Sequence, residues 1–265
     1  MPYVVSIRNM GAAHTAVSYD GVVVSNCQAG QIDIGRFSLD NVSVLSLNIG
    51  QPEDLLQSAR MYASAGVLSI ETEKPHFENE RNSAFRVQMR GGSFGYVSPS
   101  IRWWQKAGSR TSFSLNGNYM RADGNYPFTL VNGKYVTEEK RNNSAIYTYQ
   151  IEPTLFHTFK DSSNLELKAY YFYSKRGLPG SVTLYNPISD ETLWDENVFI
   201  QTRYKKDFSQ KWSLQAQAKY NHGWNKYEDK GNEYADGLYR AVHRQDEYYL
   251  SVTALYRPWN VLSLS

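Results

Sequence analysis

From Ser83 onward the chain alternates apolar and polar side chains over long stretches. In the clearest, Trp212, Leu214, Ala216, Ala218, Tyr220, His222 and Trp224 share one face, while Ser213, Gln215, Gln217, Lys219 and Asn221 share the other. Leu165, Leu167, Ala169, Tyr171 and Tyr173 stand against Glu166, Lys168 and Ser174 in the same way. Three further stretches, around Phe113–Tyr119, Tyr147–Leu155 and Tyr248–Tyr256, repeat the pattern. Period two over ten or more residues predicts extended strands with one apolar and one polar face. Globular strands usually have about five or six residues, whereas a tilted strand crossing a bilayer needs about nine to eleven. These runs have the second length.

The connections follow their own rhythm. Tight turns are predicted at Gly108-Ser109-Arg110, Asp161-Ser162-Ser163 and Ser209-Gln210-Lys211, and they alternate with long polar loops at 123–143, 175–196 and 225–244. Residues 91–95 make a short first loop on the long-loop side. Short turns on one side and long loops on the other characterise outer-membrane barrels, and aromatic residues toward the strand ends suit their interfacial girdles. Eight strands are predicted, with a ninth beginning after Pro258-Trp259-Asn260.

Residues 1–74 read differently. Short apolar runs at 4–7, 22–24, 42–47 and 67–70 are separated by turn signals such as Tyr19-Asp20-Gly21 and Asn48-Ile49-Gly50. Residues 55–62 predict one short helix, preceded by the acidic Glu53 and Asp54. A mixed α/β unit of this size is a poor candidate for independent stability. Residues 75–82 then serve as a linker to the strands of 83–265.

Composition fits this division. The chain has 21 Tyr and 6 Trp in 265 residues, yet its mean hydropathy is -0.56. Alternation on long strands reconciles the two. A net charge of +2 gives no concentrated basic surface for nucleic acid. A single cysteine, Cys27, rules out an internal disulfide and a cysteine-based zinc cluster. No apolar run reaches the 18 residues of a transmembrane helix, which says nothing against a barrel. The start, Met1-Pro2-Tyr3-Val4, has neither the charged nor the apolar region of an export signal, so an exported protein would begin upstream.

Three stretches carry a resemblance to a known family. Val5-Ser6-Ile7-Arg8-Asn9-Met10-Gly11-Ala12, followed by Tyr19-Asp20-Gly21-Val22, resembles the plug signature of TonB-dependent outer-membrane receptors, with Asn9 where the family usually has Gly. Residues 28–34 and 39–42 look like the plug's next loop and strand, and 65–72 resembles the motif that ends the plug, with Ala65 replacing its first Gly. The flavour is closest to Bacteroidetes receptors. The resemblance implies the later part of a plug followed by the first eight or nine of about twenty-two antiparallel barrel strands, hence a fragment. It also implies an energy-coupled importer in the outer membrane of a Gram-negative bacterium, not an enzyme, needing no cofactor. Its partners would be outer-membrane lipid, a small-molecule or glycan ligand, and a TonB protein that pulls on the plug. Siderophore, cobalamin, other metal chelates and glycans remain open as ligands, and no TonB box is visible.

Matched to that pattern, Asn26, Cys27, Gln28, Ala29, Gly30 and Gln31 form the plug loop expected to touch ligand, offering uncharged donors and acceptors. Tyr126, Tyr185, Trp194, Tyr227 and Tyr234 fall in the expected outer loops, where rings could stack on a ligand. Arg8, Asp20, Asp33, Arg36 and Arg60 are expected to pair with the barrel wall, which offers Arg86, Arg90, Glu152, Glu166 and Lys168 on its inward face. The five histidines lack metal-ligand spacing. A passive porin-like or structural barrel, or a truncated remnant, is the alternative; a barrel enzyme and a soluble glycan-binding sandwich are also considered. A passive pore has no use for residues 1–74, no Ser–His–Asp arrangement stands in the strands, and strand length and loop rhythm oppose a sandwich.

Overall fold

The structure, a computed structural model, describes residues 4–7, 11–26, 31–49, 54–77, 81–181, 189–230 and 234–259, and the backbone of 262–264. In the amino-terminal unit, β1 (Thr15–Tyr19), β2 (Val22–Val24), β3 (Val42–Asn48) and β4 (Gly66–Thr72) form one sheet in the order β2-β1-β4-β3. β1 and β4 run parallel and the other pairs antiparallel. A two-residue turn joins β1 to β2, with φ of 49° at Asp20 and 82° at Gly21. Asp-Gly suits this position because such a turn needs two positive φ angles.

The second sheet is antiparallel throughout. Its strands are β5 (Ser83–Gly92), β6 (Tyr96–Lys106), β7 (Thr111–Ala122), β10 (Ile146–Thr158), β11 (Asn164–Leu178), β12 (Glu191–Asp207), β13 (Trp212–Lys230), β14 (Leu238–Trp259) and the three-residue β15 (Leu262–Leu264). Each pairs with its neighbour in sequence, except that β7 pairs with β10 across a separate hairpin of β8 (Pro127–Asn132) and β9 (Tyr135–Lys140). This is eight long strands and a short ninth, the barrel portion expected from the alternation.

Burial on these strands is inside out by the standard of a soluble protein. The polar face is covered: Ser213, Gln215, Gln217, Lys219 and Asn221 are all buried, as are Glu152, Glu166 and Lys168. The apolar face is open, with Val87 73%, Leu250 77% and Tyr248 81% exposed. Hydrocarbon, unlike water, stabilises such a face, and the backbone polar groups are satisfied between strands. Aromatic pairs mark both edges of the band: Tyr119–Tyr149 (centroids 5.0 Å apart) and Tyr149–Tyr173 (6.1 Å) at one, Trp212–Tyr256 (4.4 Å) at the other. From Trp212 to Trp224, at about 3.3 Å per residue, the strand rises about 40 Å. At a tilt of about 45° that is about 28 Å of height, close to the roughly 25 Å apolar band of outer-membrane barrels.

The plug packs against the covered face. Its core merges with two apolar wall residues, Tyr170 and Phe199, which stack at 4.5 Å and meet Tyr19 and Phe37 of the plug.

Several expectations are corrected. The predicted helix at 55–62 shrinks to α1 (Ala59–Tyr62), because Asp54 instead caps a turn by accepting from Leu56 N at 2.9 Å. Residues 4–7 form no strand, whereas Thr15–Tyr19, which is not among the apolar runs, forms β1. The long loops are shorter than expected: β11 continues to Leu178, β12 begins at Glu191, β13 reaches Lys230 and β14 begins at Leu238. There the strands rise above the apolar band, charged side chains such as Lys175 and Lys226 enter the outward face, and the alternation fades while the hydrogen-bond ladder persists. Trp194 and Tyr227 consequently lie on β12 and β13, not in loops.

Candidate functional site

Two features of the plug–wall contact have chemical consequence: an ionic lock deep in the sheet, and a vestibule at its long-loop end. The lock centres on Lys168 of β11. Its ammonium contacts Asp20 of the plug turn, Glu152 of β10 at 2.6 Å and Thr72 Oγ1 at 3.0 Å. Tyr19 Oη donates to Glu152 at 2.5 Å and Asn41 Nδ2 to its other oxygen at 3.1 Å. Asp20 also accepts from Thr72 N at 2.7 Å and Thr72 Oγ1 at 2.9 Å. Burial alone would raise the Asp20 pKa, but the Lys168 charge and these hydrogen bonds outweigh it and hold the carboxyl below its ordinary range.

A second pairing joins Lys219 of β13 to Glu247 of β14 at 2.9 Å, where Glu247 also accepts from Arg60 at 3.2 Å and Ser25 Oγ at 2.7 Å. A third joins Arg102 of β6 to Glu73 and to the Asp40 carbonyl, beside Arg90–Asp40 at 2.6 Å. Between these points the wall holds the plug by its main chain. Gln201, Gln217, Lys219 and Gln215 donate to the carbonyls of Tyr19, Gly21, Val23 and Leu56, at 2.6 to 3.0 Å. Tyr170 Oη donates to the carbonyl of Arg36 at 2.7 Å. The fit is close at Gly21, where an added Cβ would lie 2.7 Å from Arg203 Nη1.

The vestibule is a cleft of about 630 Å³ between plug and wall. The plug contributes Asn26, Gln31, Asp33 and Arg36; the wall contributes Arg90, Tyr96, Phe172, Arg176 and Asp195 among others. It shares Asn26, Arg36, Phe172 and Asp195 with a neighbouring cleft of about 460 Å³ that reaches Asn225 and His243. Arg176 pairs with Asp195 at 2.9 Å, and Arg36 lies 6.0 Å from the centre of the Phe172 ring. The Nε atoms of Arg36, Arg90 and Arg176 are buried without a hydrogen-bond partner. A guanidinium has five donors in a planar fork, which matches carboxylate, catecholate or phosphate oxygens.

The expected site residues divide as follows. Asn26 and Gln31 border the vestibule, while Cys27, Gln28, Ala29 and Gly30 lie outside the described residues, as do Arg8 and Tyr185. Asp20 and Arg60 reach the wall, through Lys168 and Glu247. Asp33 and Arg36 border the vestibule, Asp33 accepting locally from Gly35 N at 2.9 Å. On the wall, Glu166 pairs with Arg203 of the wall itself at 2.9 Å, and Arg86 reaches Glu73 at 3.1 Å. None of Tyr126, Trp194, Tyr227 and Tyr234 lines either cleft. Tyr126 packs on Phe94, Tyr227 and Tyr234 donate to Glu191 and Asp229, and Trp194 points outward beneath Lys226, whose Nζ is 3.9 Å from the ring centre. Arg176, Asp195, Lys219 and Glu247 are not among the site residues expected from the sequence. A single signal marks Lys219: it is the one cation on the polar face of the alternation between 212 and 224.

Comparison with family models gives no match, and comparison with curated proteins gives none. Solved structures do match. The copper transporter OprC superposes with a TM-score of 0.69 at 16% identity, over 94% of this chain and 36% of that one. The ferric enterobactin receptor PfeA of Pseudomonas aeruginosa gives 0.62 at 15% identity, over 96% of this chain and 40% of that one. The chain thus spans well under half the length of either, and at these identities the likeness is one of fold.

Proposed function

Given a chain with the plug-and-barrel fold of TonB-dependent outer-membrane receptors, we propose that it is part of an energy-coupled importer in the outer membrane of a Gram-negative bacterium. Ligand enters the vestibule from the long-loop side and meets plug and wall together. A TonB protein on the other side then draws on the plug, and the lock at Lys168 is among the contacts that must yield. The observation that carries this reading is the vestibule itself, floored by plug residues and edged by the cationic side chains of Arg36, Arg90 and Arg176. Three arginines at one cleft favour a metal chelate with anionic oxygens over a neutral glycan, among the siderophore, cobalamin, chelate and glycan ligands such a scaffold can take. A passive pore is disfavoured because buried ion pairs and main-chain hydrogen bonds fasten the plug across the inward face.

Calorimetric titration of the full chain in detergent micelles tests the reading. A ferric tris-catecholate should bind, and a neutral oligosaccharide should not. Arg36→Ala combined with Arg176→Ala should weaken binding at least about tenfold, the worth of one lost charge-assisted contact. Equal affinity in the double variant, or binding of the sugar alone, would overturn the anionic-ligand assignment.

A further inference from the structure

The outward face holds a feature that uptake does not use. On β7 the outward positions run Leu115, Gly117, Tyr119, Arg121, and at Gly117 the surface has no side chain. Around that gap lies a groove of about 680 Å³, walled by Ile101, Ile151, Tyr119, Tyr149, Tyr171 and Tyr173. The walls are apolar, and the groove sits at the upper edge of the lipid-facing band, where Tyr119, Tyr149 and Tyr173 form the aromatic row. Ile101 Cγ2 would lie 3.3 Å from a Cβ at Gly117, so the absence of that side chain keeps the groove open.

One register step above the tyrosine row stands a row of cations. Arg121 pairs across β7–β10 with Tyr147, Tyr147 with Lys175, Lys175 with Trp194, and Trp194 with Lys226. Each cation lies near a ring: Arg121 is 5.6 Å from that of Tyr147, and Lys175 and Lys226 are 5.5 Å and 3.9 Å from that of Trp194. Arg244 adds a fourth cation one step lower. Against these stand Asp123, which accepts from Arg121 at 3.1 Å, and Glu196; Glu228 accepts from Lys226 at 3.3 Å and from Arg240 at 2.7 Å. Arg121 and Lys175 are two strand spacings apart, about 10 Å, so their long side chains can close on one anionic group.

We infer that this face binds a phosphate-bearing lipid of the leaflet on the long-loop side, with an acyl chain in the groove at Gly117 and its phosphate between Arg121 and Lys175. Gly117 lies about 13 Å below Arg121 along the strand, so head and chain fall on one molecule. The apolar groove and the cation row are independent features of the sequence, and a phosphorylated amphiphile satisfies both. A free anion uses only the row, and a protein helix has no need of the phosphate clamp.

Native mass spectrometry of the full chain in nonionic detergent, titrated with bis-phosphorylated lipid A, tests this. The phosphorylated lipid should bind about tenfold tighter than its dephosphorylated form. Gly117→Leu, which fills the groove without adding polarity, and Lys175→Gln should each weaken retention about fivefold or more, while Lys134→Gln on the distant hairpin should leave it unchanged. Equal binding of the dephosphorylated lipid overturns the assignment, and that arm needs only the unaltered chain. Displacement of the lipid by millimolar inorganic phosphate would reduce the site to an anion patch, which equally overturns it.

Discussion

Lys168 ties the wall to the plug through buried polar contacts with Asp20 and Thr72. It is 1% exposed, and so are its partners to within a few per cent. Removing one member of a buried ion cluster leaves charge with neither water nor partner, which costs about 3–5 kcal/mol. Lys168→Met should therefore loosen the plug while the strand ladder stays intact. Limited proteolysis should cut residues 11–74 faster in the variant, with the barrel strands still protected; an unchanged cleavage rate would refute the lock. Asp20 gives the same attachment a pH dependence. Its folded pKa lies below the ordinary value of about 3.9, so its contribution is fully present above that value and is lost as pH falls through the folded pKa. Plug cleavage by an acid-active protease should be flat down to about pH 4 and rise below it, and Asp20→Asn should remove that rise.

At the scale of elements, legibility followed the environment on the two faces of each strand. Where one face meets lipid and the other the plug, as between Trp212 and Asn221, polarity alternates and the strand is plain in the sequence. Where the outward face turns from apolar to charged, as at Lys226 and Glu228, nothing in polarity separates strand from loop, although β13 continues there for its full ladder with β14. The same loss of signal misplaced Trp194 and Tyr227. In the plug, β1 was missed because Thr15 and Ser18 interrupt its apolar character, even though Val17 and Tyr19 anchor the core. The candidate site was less legible still. Asn26 and Gln31 followed from their place in the plug loop, but Arg176 and Asp195 reach the vestibule through strand register, which a sequence does not display.

For the whole molecule, the side chains facing outward decide where it is stable. Leu250, 77% exposed, lies in the middle of the apolar band on β14. Leu250→Arg should destabilise the chain by about 2–4 kcal/mol in a bilayer, as expected for a cation at the midplane. Urea titration of the folded chain in bilayers measures this, and a loss below about 1 kcal/mol would show that the face does not meet hydrocarbon.

The grip of Gln201, Gln215, Gln217 and Lys219 on plug carbonyls has a consequence for how plug and wall can diverge. A carbonyl is the same on every residue, so these four contacts recognise the route of the chain and are blind to the side chains at Tyr19, Gly21, Val23 and Leu56. Substitutions there are sensed elsewhere: at Tyr19 by Glu152, Tyr170 and Phe199 of the wall, and at Gly21 by the narrow gap beside Arg203. A different plug sequence tracing the same path would find the same four donors waiting, so this part of the wall is a socket for a shape, and the choice of plug falls to the ion pairs at Lys168, Glu247 and Arg102.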